Sequence, residues 1–249
     1  MKKETTRKIW EEKHEVSWED TTPDNHLSIT ALDRDLLQAA VNHAEHLGFG
    51  FSDTSKEDLS WVLFRINLQI NRLPEWKEPY RVITWPSRVG ALTAFREFEV
   101  LDEKNQRLAA ATSEWSVINL KTRRPRRMST LTHLNDNLTD NIILQRPFFK
   151  LDNTIPFEEL FSVTVRYSDM DMNGHANAGK YFDWLSDAVY EIYGNNNVVF
   201  ISFNYFQECL LGDRVSIQKS SNGSGFVRGV KTGDNKTAFW AKVEMRDRS

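Results

Sequence analysis

The sequence predicts an α+β protein made of two domains with the same grammar, each a helix followed by a run of antiparallel strands. Three observations carry this. An apolar pattern at helical spacing occupies residues 31–47 and a second starts near Asn177, and each is stopped by a glycine, Gly48 and Gly194. Each helix is followed by segments with strand patterns joined by turn residues. Matching openings recur in the two halves, Arg81-Val82 and Arg214-Val215 each starting a strand, as expected of an internal repeat.

In the first half, "ALDRDLLQAAVNHAEHL" puts Leu32, Leu36, Leu37, Ala40, Val41, Ala44 and Leu47 on one helical face. Strands are expected at "WVLFRINLQI" from Trp61, "RVITWPSRV" from Arg81, "ALTAFREFEVLD" from Ala91 and "QRLAAATSEWSVINL" from Gln106, the last two joined by the polar turn "DEKNQ". "FSDTSKEDLS" and "PEWKEP" are natural places for the extra residues between the helix and the strand that opens at Arg81. Residues 129–157 lack periodicity and are expected to form a linker with one short helix, separating a domain at 1–128 from another at 158–249. In the second half, "FSVTVRY" (161–167) alternates like a half-buried strand, and the following helix carries Tyr181, Trp184, Leu185, Ala188, Val189 and Ile192 on one face. Strands then resume at "VVFISFNYF", "RVSIQKSS", "GFVRGVKTG" and "KTAFWAKVEM".

Composition narrows the function. The chain has 249 residues, 40% of them hydrophobic, enough for real cores. A net charge of -3 argues against a nucleic-acid partner. One cysteine, Cys209, excludes a disulfide framework and a multi-cysteine zinc site and suits a reducing compartment. The start, "MKKETTRKIWEEKHE", has no apolar run behind its basic residues, and no stretch is long enough to span a bilayer, so the expected compartment is the cytoplasm. One basic island, "KTRRPRRM", groups Lys121, Arg123, Arg124, Arg126 and Arg127, a local field suited either to an acidic partner or to a solvated strand end. His43 and His46, three apart on the first helix, have no further ligands in view and are expected on its solvated flank.

The densest polar chemistry is "SDMDMNGHANAGKYFDWL", residues 168–185. Asp169, Asp171, Asn173 and Gly174 match the opening of an EF-hand loop, but its twelfth position, where calcium needs a bidentate Glu, holds Lys180. A strand pattern, not a helix, precedes it. The cluster is therefore a strand-to-helix connection, no metal or cofactor is expected, and Asn177 is the expected helix cap.

These residues resemble the acyl-acyl carrier protein thioesterases, a family with plant and bacterial members. The likeness rests on "WVLFRINLQINRLPEW" and "TSEWSVINLKTRR", with Trp61 and Trp115, in the first half, and on "SDMDMNGHANAGKYFDWL" and "QECLLGD" in the second. It implies tandem hotdog domains, each a central helix wrapped by a curved antiparallel sheet, with catalysis in the second and an acyl-chain groove in the first. The asymmetry agrees with the sequence, since Asn25 and His26 are adjacent and do not reproduce the spacing of Asn173 and His175. With no transit-peptide pattern at its start, the chain is nearer the bacterial type.

By position, the resemblance implies a catalytic set of Asp171, Asn173, His175 and Glu208, with Cys209 on a cysteine assigned as a nucleophile. Thioester hydrolysis needs a base for water and aimed donors for the oxygen that gains charge. His175 suits the base, Glu208 its orientation or that of the water, Asn173 and the amides of residues 177–179 the donors, and Asp171 an orienting acceptor. Neighbours on a regular strand face opposite ways, so Glu208 and Cys209 are not expected to meet His175 together unless a bulge intervenes. A water route through Glu208 and a covalent route through Cys209 therefore compete, and the water route is favoured because it needs no acyl-enzyme intermediate. The implied partner is an acylated, acidic carrier protein docking on the basic island, with neither nucleic acid nor membrane and with a monomer or homodimer left open. The other readings are an acyl-coenzyme A thioesterase and a non-catalytic acyl-binding module.

Overall fold

In a computed structural model, residues 8–150 and 154–246 are described. The start at 1–7, linker residues 151–153 and the last three positions of the expected second domain lie outside them. The chain forms two compact units, residues 1–28 with 34–146 and residues 29–33 with 147–249.

The first unit contains β1 (Trp10–Glu15), all but the first five residues of the helix α1 (Ile29–His46), the helix α2 (Phe51–Thr54), the strands β2 (Leu59–Ile70), β3 (Pro79–Val89), β4 (Ala94–Asp102) and β5 (Arg107–Asn119), and the short helix α3 (Thr132–Asn135). Its strands run in the order β1-β3-β4-β5-β2, every pair antiparallel. The second unit has β6 (Phe157–Thr164), α4 (Ala178–Tyr193), β7 (Val198–Tyr205), β8 (Arg214–Ser220), β9 (Phe226–Lys231) and β10 (Thr237–Met245). Its order, β6-β8-β9-β10-β7, repeats that of the first unit strand for strand. In both, the strand that follows the long helix pairs with the last strand, and the strand before the helix forms an edge.

β1 escapes the sequence patterns because "WEEKHE" has one apolar residue; charged side chains are what an edge strand tolerates, and among the described residues this one pairs only with β3. β6 begins four residues before the expected strand, and Tyr167–Asp169 is a single 3-10 turn rather than its end. The stretch at 129–157 carries α3 and the start of β6.

In the second unit α4 lays its apolar face on the sheet: Phe182 stacks on Phe203 at 4.8 Å, and Tyr181 and Trp184 meet Phe239 at 5.8 and 6.4 Å. Phe239 fits because its cross-strand partner is Gly229. A Cβ at Gly229 would come within 2.3 Å of the ring.

The first unit buries polar groups as well as apolar ones. Glu97 is fully buried and accepts from Ser87 Oγ at 2.7 Å and from Thr112 Oγ1. His43 is buried too, contrary to the solvated flank expected of it: Nδ1 meets an Arg96 guanidinium nitrogen at 3.1 Å and the ring stacks on Trp10 of β1. The unforeseen strand supplies the cover. Burial pushes the Arg96 guanidinium down to about 9. Trp61 packs on the cluster of Leu47, Phe49, Leu59 and Val117 and donates its indole N–H to the Phe49 carbonyl at 2.8 Å, and Trp115 donates to Ser113 at 2.7 Å.

Two predictions follow from this packing. Gly229→Ala forces Phe239 out of place and is expected to cost about 1–3 kcal/mol, read as a lower denaturation midpoint at constant slope; a midpoint equal to wild type would show that the ring gives way freely. Asp33 on α1 is fully buried, neither oxygen has a partner among the described residues, and burial pushes its carboxyl up to about 8. Because the folded value exceeds the unfolded one, the folded state holds the extra proton. Stability from this group is complete below about pH 4 and falls by up to about 1.4 kcal/mol per pH unit on the way to pH 8. Asp33→Asn is expected to flatten that slope in urea melts taken across this range, and an unchanged slope would rule it out.

Candidate catalytic site

The connection between β6 and α4 is a turn built around one carboxylate. Asp171 N–H donates to the His175 carbonyl at 2.8 Å, Gly174 N–H donates to the Asp171 carbonyl at 3.1 Å, and Met170 and Ala176 form a bridge beside them. Gly174 stands at φ +77°, a left-handed conformation that glycine adopts without strain. Asp171 Oδ1 accepts from the backbone N–H groups of Asn173 at 2.8 Å and His175 at 3.2 Å, and Oδ2 faces the Asn173 side-chain amide at 3.4 Å. Asp171 thus orients its neighbours, in the Asx-turn manner of short acidic side chains.

Asn177 caps α4, its Oδ1 accepting from Gly179 N–H at 3.0 Å. Its own N–H donates to the Asp169 carbonyl at 2.8 Å. Two of the three helix-start amides expected to face a substrate oxygen are therefore committed to the fold. The Asn173 side chain, which is exposed, is a donor that still fits that task.

Glu208 and Cys209 arrive on the irregular segment after β7, not on a regular strand, so alternation does not govern them. Ala176 N–H donates to the Cys209 carbonyl at 2.8 Å and so stitches this segment to the turn. The result places Glu208 Oε2 3.3 Å from His175 Nε2, both half-exposed. Cys209 is fully buried, and burial holds its thiol above the ordinary value despite the lowering influence of the Tyr181 hydroxyl and Lys231. A thiol held in that form is a poor nucleophile.

Two residues at this site escape the motif: nothing in the sequence singles out Lys231, and Tyr181 reads only as part of an apolar stripe. Lys231 Nζ sits 2.8 Å from Asp213 and 3.3 Å from the Glu208 carbonyl, and Asp213 accepts from Leu210 N–H at 2.9 Å. Tyr181, one of the apolar stripe of α4, accepts from Cys209 N–H at 3.0 Å and faces the Gln207 carbonyl at 3.4 Å. A helical pattern identifies such a residue only as core; the hydroxyl's partners lie on a segment far along the chain.

The basic island lies in the first unit, in the turn after β5. Lys121 pairs with Asp58 and Arg126 with Glu57, while Arg123 adopts φ +57°. Arg124 and Arg127 are exposed.

The family described as acyl-ACP thioesterase N-terminal domain matches residues 7–132, and its C-terminal domain counterpart matches residues 156–242. The chain is 29% identical over 224 residues to a dodecanoyl-[acyl-carrier-protein] hydrolase of Cinnamomum camphora, covering 82% of this chain and 58% of the relative. It is 30% identical over 209 residues to a palmitoyl-acyl carrier protein thioesterase of Gossypium hirsutum, covering 75% and 48%. The chain thus spans about half the length of the curated relatives it matches. Among solved structures, an acyl-ACP thioesterase from Bacteroides thetaiotaomicron superposes with a TM-score of 0.85 at 25% identity, over 96% of this chain and 98% of that one. A 12:0-ACP thioesterase from Umbellularia californica gives a TM-score of 0.82 at 23% identity, over 97% of this chain and 98% of that one, and speaks for the fold. The two helix-and-sheet units are of the hotdog type, and with both domain families matched in chain order, the chain belongs to the acyl-ACP thioesterase family.

Proposed function

We propose that this protein hydrolyses the thioester of acyl-acyl carrier protein and releases a free fatty acid, as a step in fatty acid biosynthesis. The observation that carries the reading is the Glu208 carboxylate 3.3 Å from His175 Nε2, beside an Asn173 amide oriented by Asp171. With Nε2–H donated to Glu208, Nδ1 is the acceptor for a proton of the attacking water. Water oxygen adds to the thioester carbonyl, Asn173 donates to the oxygen that gains charge, the C–S bond breaks, and the histidine returns the proton to the departing carrier thiol. Cys209 contributes its backbone to the seam and its side chain to the core. A lone, buried cysteine fits a reducing compartment, and we place the reaction in the cytoplasm.

For docking, we assign the acidic carrier to the island after β5. Lys121 and Arg126 already have carboxylate partners, so Arg124 and Arg127 offer the field to a partner.

Thiol release from a panel of acyl carrier protein thioesters of graded chain length tests the chemistry. His175→Ala is expected to lower kcat by about 10²–10⁴-fold, whereas Cys209→Ala is expected to stay within about fivefold of wild type; a loss in Cys209→Ala as large as in His175→Ala would establish the covalent route instead. For docking, the double charge reversal Arg124→Glu and Arg127→Glu is expected to raise KM for carrier substrates about tenfold, an effect weakened by salt, with small acyl thioesters unaffected. Equal changes on both substrate types would remove the carrier from this surface.

A further inference from the structure

We propose that Tyr181 is a positioning residue for Glu208: its hydroxyl, in the first turn of α4, holds the backbone on both sides of Glu208 and so aims the carboxylate at His175. The proposal rests on the roles assigned to Glu208 and His175 above. Tyr181 is buried, its ring against Trp184, Tyr205 and Phe239 at 5.0–5.8 Å between centroids. Its oxygen takes the N–H of Cys209 at 3.0 Å and faces the carbonyl of Gln207 at 3.4 Å. Glu208 is the residue between these two groups. A carboxylate on irregular backbone loses its aim when that backbone drifts, and a rigid aromatic lever from the helix prevents the drift.

The first unit supplies an internal control, because it builds the same turn without the same chemistry. Thr22 N–H donates to the His26 carbonyl, Asn25 N–H to the Thr22 carbonyl and Ser28 N–H to the Asp20 carbonyl, each the counterpart of a bond in the turn at 169–177. Asn25 has φ +67° where the second turn has Gly174. Leu27 N–H donates to the Pro74 carbonyl at 2.8 Å as Ala176 N–H does to Cys209, and Glu75 N–H donates to the Glu78 carboxylate as Leu210 N–H does to Asp213. With the backbones matched, Leu73 stands in the place of Glu208, Pro74 in the place of Cys209 and, one turn into the helix, Leu32 in the place of Tyr181. Pro74 has no N–H to give. The turn therefore forms without the hydroxyl, and the hydroxyl, the N–H that it accepts and the carboxylate between are together in one half of the chain and together replaced in the other. A tyrosine kept only for packing would not track the carboxylate in this way.

A double-mutant cycle on acyl carrier protein thioesters decides the matter. Tyr181→Phe keeps the ring and removes the hydroxyl. It is expected to lower kcat about 10- to 100-fold with KM within about twofold, and Tm by no more than a few degrees. In a Glu208→Gln background the same substitution is expected to cost less than twofold more, since the lever then has nothing to aim. Cys209→Pro, which copies the first half and removes the donor from the other end, is expected to give the same loss of kcat; if one of these variants fails to fold, the other decides. A wild-type kcat in Tyr181→Phe, or an equal loss in both backgrounds, overturns the proposal. A wild-type kcat in Glu208→Gln removes the carboxylate's role, and the proposal with it, by a result that neither of the other outcomes produces.

Discussion

One backbone hydrogen bond, from Ala176 N–H to the Cys209 carbonyl, holds the candidate site together. The turn that carries Asn173 and His175 precedes α4, and the segment that carries Glu208 follows β7; neither is part of a sheet ladder, and the bonds between Val165 and residues 212 and 213 join only their outer ends. Closing that seam sets the histidine and the carboxylate side by side, and the remaining contacts refine it: Asp171 gathers the turn from within, Lys231 and Asp213 brace the far segment, and Asn177 begins the helix so that Tyr181 faces the seam. The arrangement places the candidate side chains on irregular backbone while the rigid helix and sheet carry the restraint, which is how loop residues can hold a fixed geometry.

The same economy explains why Glu208 and Cys209, adjacent in sequence, part ways. On an irregular segment one side chain can reach half-exposed toward the imidazole while the next turns fully into the core. The carboxylate stays half-exposed; the thiol is fully enclosed, and burial favours its neutral form. Polar burial in the first unit has a different purpose. Glu97 is satisfied by Ser87 and Thr112, and Arg96 by His43 and Thr84, in closed networks that fix a core without presenting a reactive group.

Much of this was legible in the sequence. The two long helices, nine of the ten strands among the described residues and the turn at 171–175 announce themselves through period, glycine stops and the crowding of short polar residues. What stayed hidden has common physical causes. β1 is charged because it is an edge, so it offers no apolar alternation, and His43 could not be read as buried until that strand was known to lie over it. The amides at the start of α4 could be located but not their partners, because Asp169 accepts through a backbone carbonyl that no residue type encodes. Tyr181 was visible only as a large ring on an apolar stripe; what its hydroxyl touches depends on a segment twenty-six residues away and on tertiary closure.

The proline at position 74 gives the asymmetry of the two halves a direction. A single change at Leu73 could put a carboxylate in the first turn, but it would sit beside a residue with no amide hydrogen, in a half whose helix has Leu32 where the second has Tyr181, so it would arrive without an anchor. Recovering the arrangement requires several coordinated exchanges, none useful alone, whereas losing it requires only one. The turn of the first unit thus keeps its backbone bonds, while Leu32, Leu73 and Pro74 offer no route, one exchange at a time, to the arrangement in the second.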